Sequence, residues 1–214
     1  NLCHQGCGCW QAHNRLGAKK FARGDVEAAH YHFQNSTRLR PDLGETHNNL
    51  GTTLSARAQM LAQRGDQATA KREMDAAIEQ FAEACRVTPH VPAIQVNLAN
   101  ALAAAGRFDE AAKKYKELLE QAPDNAALWN NYGVALFKKG DKAPAIEAFR
   151  KALSLDPNLK DAKESLAVAT GQAEAPQQPG QGQPVAAPRP SPGEQLQLTP
   201  PQSPTLGPSP LLQR

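Results

Sequence analysis

One spacing recurs along this chain and limits what it can fold into. Aligning Gly24, Gly106 and Gly140 brings Pro41, Pro123 and Pro157 into register, each seventeen residues later. Ala29, Ala111 and Ala145 then align five residues after the glycine, and Phe33, Tyr115 and Phe149 nine residues after it. The last two copies are 34 residues apart. A glycine turn between two apolar stretches, closed by a proline, is the pattern of a repeated helical hairpin. Such a unit cannot bury its apolar face alone. Copies must stack, and stacking builds an extended groove rather than a closed catalytic cleft.

The copies divide the chain. The first repeat covers 10–43, with Leu16 and Gly17 on its first helix and Ala29 and Phe33 on its second. The third, 92–125, carries Leu98, Ala99, Leu102, Ala111, Tyr115 and Leu118. The fourth, 126–159, carries Trp129, Tyr132, Gly133, Leu136, Ala145, Phe149 and Ala152, with Pro144 in the first turn of a helix, where its missing N–H does little harm. The second, 44–91, is 14 residues longer than its neighbours. Leu50 and Gly51 fit its start, and Ala77, Phe81, Ala84 and Pro89 fit its end. The turn at Gly65-Asp66 comes seven residues late, and Ala77 comes seven residues late after that. Seven residues add about two turns, or about 10 Å, to a helix. They rotate its face by only about 20°, so the buried stripe continues through Met60, Leu61, Ala70 and Met74. The expectation is a hairpin of two helices of about 20 residues each, projecting past its neighbours on the turn side. Residues 160–171 read as a capping helix, with Leu159, Ala162, Leu166 and Ala167 on its apolar side.

The segment "ALWNNYGVALFKKGDKAPAIEAFRKALSLDPN" resembles the tetratricopeptide repeat (TPR) consensus at the tryptophan, the small glycine, the Gly-Asp turn and the alanine-phenylalanine-alanine-proline set. The resemblance implies an all-α solenoid of four TPR-like hairpins. It also implies a peptide-binding groove lined by the first helix of each hairpin. Asn49, Asn97 and Asn131 occupy one register there, immediately before Leu-Gly, Leu-Ala or Tyr-Gly, and Arg15 takes that place in the first repeat. A carboxamide both donates and accepts, so a row of them can bind a peptide main chain largely regardless of its sequence. The row resembles the asparagine ladder in the TPR superhelix of O-linked N-acetylglucosamine transferases. Asn100 lies nearby on the same face. The bland alternative is that these amides only bridge helices. The two-carboxylate clamp of chaperone-binding TPR proteins is missing: its positions hold Asn14 and Ala18 in the first repeat and Ala127 and Asn131 in the fourth.

Two further segments stand apart. Cys3, His4, Cys7 and Cys9 fall within seven residues and offer ligands suited to zinc or copper(I). Lipidation, redox use or a plain stub, 1–9, fit as well. Cys85 reads as core, and His30 and His32 as separate surface residues. Beyond residue 171 lie eleven of the 17 prolines, many glutamines and no aromatic residue. Composition of that kind cannot offset its ordering entropy, so 172–214 is expected to be disordered.

The remaining composition narrows the function. The net charge is +3, with Lys and Arg mixed among Asp and Glu, which argues against nucleic acid as a partner. No apolar run is long enough for a transmembrane helix. No phosphate loop, zinc-protease motif or nucleophile elbow occurs, and no cofactor is implied. The chain opens on Asn1 rather than Met and reads as part of a longer product. The expectation is a non-catalytic scaffold or adaptor that binds an extended segment of a partner protein. The alternatives are a regulatory or targeting domain of a larger membrane-anchored or enzymatic protein, or a metal-handling module built on the N-terminal cysteines. No feature indicates a compartment.

Overall fold

The computed structural model describes residues 9–171. Cys3, His4, Cys7 and the 172–214 tail lie outside them. The described residues form nine α-helices: α1 (Cys9–Ala22), α2 (Val26–Leu39), α3 (Gly44–Gln63), α4 (Gln67–Val87), α5 (Pro92–Ala104), α6 (Phe108–Gln121), α7 (Ala126–Lys139), α8 (Lys142–Leu155) and α9 (Lys160–Thr170). They pair as hairpins α1–α2, α3–α4, α5–α6 and α7–α8, and α9 closes the stack against α8 and α7.

The turns explain the glycines. Gly24, Gly65, Gly106 and Gly140 all take positive φ, between 77° and 108°, which a side chain would oppose. The aspartate that follows caps the next helix in two hairpins: Asp25 Oδ1 accepts from the Ala28 N–H and Asp66 Oδ1 from the Thr69 N–H. Hydrogen bonds with Lys20 and Thr69, respectively, hold these two carboxyls below their ordinary pKa.

A second glycine set makes the seams. A Cβ on Gly17, Gly51 or Gly133 would sit 2.8, 2.9 or 2.6 Å from a ring carbon of Phe33, Phe81 or Phe149. The missing side chain lets the ring of the second helix lie against the backbone of the first. In the third hairpin the pair is Ala99 and Tyr115, and the Tyr115 hydroxyl donates to Asn100 Oδ1 at 2.6 Å. Burial pushes the Tyr115 phenol pKa well up, so the hydroxyl stays protonated as a donor.

The second hairpin is the long one, with helices of 20 and 21 residues against 13 or 14 in the others. Of the stripe expected through its extra turns, Ala70 and Met74 are buried, while Met60 and Leu61 are half-buried. Where it projects past α5, Ala62, Ala70 and Met74 meet Ala104 and Ala105 around a cleft of about 260 Å³.

A repeated bond locks each hairpin to the one before it. His47 Nε2, Gln95 Nε2 and Trp129 Nε1 each donate to the carbonyl of the proline six residues earlier, Pro41, Pro89 and Pro123, at 3.0, 2.7 and 2.7 Å. Three different side chains at one register thus satisfy the carbonyl that closes the preceding hairpin.

Candidate functional site

Three successive pairs of odd-numbered helices touch directly, α1 with α3, α3 with α5 and α7 with α9, α5 and α7 standing further apart, and no pair of even-numbered helices is brought together to that extent. In a curved stack the inner arc is the crowded one, so the odd helices line the groove and the even helices the outer face.

Carboxamides join these inner helices. Asn49 Nδ2 on α3 donates to Asn14 Oδ1 on α1 at 2.9 Å, and Asn14 Nδ2 in turn donates to Glu45 Oε1 at 2.6 Å. One step on, Asn97 Nδ2 on α5 donates to Asn48 Oδ1 on α3 at 2.8 Å. Both bonds follow one rule: the residue just before the ladder position on one helix accepts from the ladder position of the next. At the third step that acceptor is replaced by Val96, and the Asn131 side chain on α7 makes no hydrogen bond among the described residues. Its neighbour Asn130 is 7% exposed, and its Oδ1 has no partner.

All five groove residues expected from the sequence lie on odd helices. Asn49, Asn97, Asn100 and Asn131 are half-buried, and Arg15 is exposed on α1. Asn49 and Asn97 each have one N–H engaged by another amide, while Asn100 accepts from Tyr115. The accepting partners Asn14 and Asn48 were missed as members of the set. Their own recurrence, one residue before the ladder register and again at Asn130, was the available signal.

The N-terminal hairpin holds a second cluster. His13 Nδ1 on α1 and His32 Nδ1 on α2 are 3.0 Å apart, with ring centroids 5.3 Å apart, and Tyr31 stacks edge-on against both. That centroid distance is about the most a 3.0 Å contact allows, so the rings meet head-on. Head-on rings share one proton in an N–H···N bond rather than converging on a metal ion. Among the described residues no three His, Cys, Asp or Glu side chains are grouped so as to hold a metal. Cys9 opens α1 and is buried.

The histidines correct the surface reading given to them. His32 is half-buried against His13, and His30 lies half-buried with its Nδ1 unpaired. Burial depresses the pKa of both, with the charge of His13 and then Lys20 adding at His32, and that of Arg57 at His30. Folded-state values below the ordinary 6.5 mean that the unfolded chain binds more protons in acid. This part of the stability is therefore complete above about pH 6.5 and is lost as the pH falls toward the depressed values. Thermal melts of the parent should drop in midpoint between pH 7 and pH 5, and His32→Asn together with His30→Asn should flatten that dependence. An equal fall in the double variant would place the titrating groups elsewhere.

Comparison with known proteins agrees with this architecture. The family model described as tetratricopeptide repeat matches residues 55–126 and again 96–160. The chain is a tetratricopeptide-repeat protein. It is 30% identical over 117 residues to the small glutamine-rich tetratricopeptide repeat-containing protein 2 of Mycosarcoma maydis, covering 55% of this chain and 33% of that protein. It is 29% identical over 163 residues to the protein O-mannosyl-transferase TMTC3 of Homo sapiens, covering 72% of this chain and 17% of that one. The TPR stack superposes on MamA from Desulfovibrio magneticus RS-1 with a TM-score of 0.63 at 18% identity, covering 76% of this chain and 84% of that chain, a likeness of fold alone. The TPR chain thus spans at most a third of the length of these two sequence relatives. A tetratricopeptide-repeat stack of this kind is the architecture of a protein–protein interaction scaffold. No helix among the described residues is long and apolar enough to cross a membrane.

Proposed function

We propose that this TPR chain is a non-catalytic adaptor whose inner groove takes an extended peptide segment of a partner protein, with Asn49, Asn97 and Asn131 contacting its main chain and Arg15 and Asn100 beside them. One observation carries the reading: half-buried carboxamides recur at a single register on three successive inner helices, two of them held in place by Asn14 and Asn48. An amide held by one N–H keeps a second N–H and its carbonyl for a ligand, and its rotamer is fixed before the ligand arrives. α5 carries no charged residue, and Ala93, Val96, Ala127 and Val134 lie on the same two inner helices as Asn97 and Asn131. That suits a peptide backbone better than a nucleic acid, whose phosphates call for clustered Lys and Arg.

The TMTC3 likeness supports a second reading, in which the groove serves as the recognition module of a larger protein and the activity lies elsewhere. Both readings use the same groove.

The test is where a bound peptide lies. Twelve-residue peptides selected from a random display library against this chain serve as probe. A photo-crosslinking side chain placed at Ala127, exposed on α7, should capture them, and one at Lys151, exposed on α8, should not. The reverse pattern contradicts the groove.

A further inference from the structure

We infer that the groove reads its peptide chiefly at the open rung between α5 and α7, where Asn131 bonds a main-chain amide of an uncharged segment carrying an aliphatic side chain beside it. This rests on the groove reading above. At the first two steps the amides pair across the inner helices, Asn49 with Asn14 and Asn97 with Asn48, at 2.9 and 2.8 Å. Part of their hydrogen-bonding capacity is therefore already used. At the third step Val96 offers no acceptor, and the whole Asn131 carboxamide, two donors and an acceptor, remains unspent.

The same helix carries a second sign of an unfinished ladder. Asn130 stands in the accepting register of Asn14 and Asn48, so its amide belongs to the step from α7 to α9. The residue on α9 that would donate to it, 34 positions after Asn131, is Ser165. Asn130 Oδ1 is buried and unpaired. A buried acceptor without a donor is unfavourable. α7 is thus the one inner helix whose ladder amides are engaged on neither side among the described residues.

The walls of the rung set the side-chain preference. Val96 on α5 and Val134 on α7 are half-buried, and Ala93, one turn before Val96, and Ala127, two turns before Val134, are exposed. These four offer apolar contact and no charge. An aliphatic side chain fits there, and a charged one would lose hydration without gaining a partner.

The experiment restores the missing acceptor. Library-selected peptides are titrated by fluorescence anisotropy against the whole chain and its variants, with a thermal melt of each. Asn131→Ala should weaken binding about tenfold, and Asn49→Ala and Asn97→Ala about threefold each. Val96→Asn, which supplies an acceptor for Asn131, should weaken binding about tenfold at an unlowered melting midpoint. Val96→Ala, which supplies none, should stay within about threefold, and Val96→Asn with Asn131→Ala should bind no worse than Asn131→Ala alone. Should Asn131→Ala cost no more than the other two and Val96→Asn cost nothing beyond Val96→Ala, the localisation fails and the groove stands. Should all three asparagines be silent, or the library yield no binder, the groove reading itself fails.

Discussion

Phe149→Ala should destabilise the last hairpin by about 3–5 kcal/mol, the usual cost of truncating a fully buried aromatic residue. The ring is 1% exposed and lies against Gly133, so close that a Cβ there would be 2.6 Å from Cε1. Gly133 has no side chain to move into the vacated volume, and the two helix backbones are already in contact with the ring. The cavity therefore stays open, and the cost falls at the upper end of the range. Stability in a stacked array is largely a sum of hairpins and their nearest-neighbour seams, so the loss should concentrate in α7, α8 and α9. Hydrogen exchange should speed up most there and least in α1 and α2, while denaturant melts move to a lower midpoint. Tyr31→Ala is the control: that ring is 60% exposed, and its loss should leave the midpoint within about 0.5 kcal/mol. A Phe149→Ala midpoint equal to the parent's would remove this seam from the core.

Features with local causes were legible in the sequence. The Gly-Asp turns, the buried aromatic opposite a small residue and the closing proline recur within one hairpin. The added seven residues per helix in the second hairpin were countable for the same reason, and Met74 and Ala70 are buried as that phase requires, while Met60 and Leu61 are only half-buried. The register of Asn49, Asn97 and Asn131 followed from the period alone.

What the sequence did not yield depends on residues far apart in the chain. The Asn14–Asn49 and Asn48–Asn97 bonds span 35 and 49 positions, and each forms only because hairpin stacking brings two rotamers face to face. The His13–His32 contact spans 19 positions. A two-residue spacing on one helix separated His30 from His32 correctly, yet it gave no view of α1 or of Arg57 on α3, which make those environments. The bonds of His47, Gln95 and Trp129 to proline carbonyls stayed hidden because three unlike side chains share one donor role.

The central claim is that an inner row of carboxamides holds a peptide main chain. Its most direct test is the affinity of library-selected peptides for the chain with Asn49, Asn97 and Asn131 all changed to Ala. Three lost contacts, each on the order of 1 kcal/mol, multiply to about a hundredfold weaker binding. Arg15→Ala, by contrast, should chiefly change the salt dependence, since that side chain is exposed. Circular dichroism should report the parent's helical content in the triple variant, because each seam is held by buried apolar side chains and not by these amides. A hundredfold rise in Kd at unchanged helicity is the predicted result. A triple variant that binds the same peptides with the parent's affinity would contradict the account, and the ligand surface would then be sought at the cleft beside the long hairpin, between Met74 and Ala105.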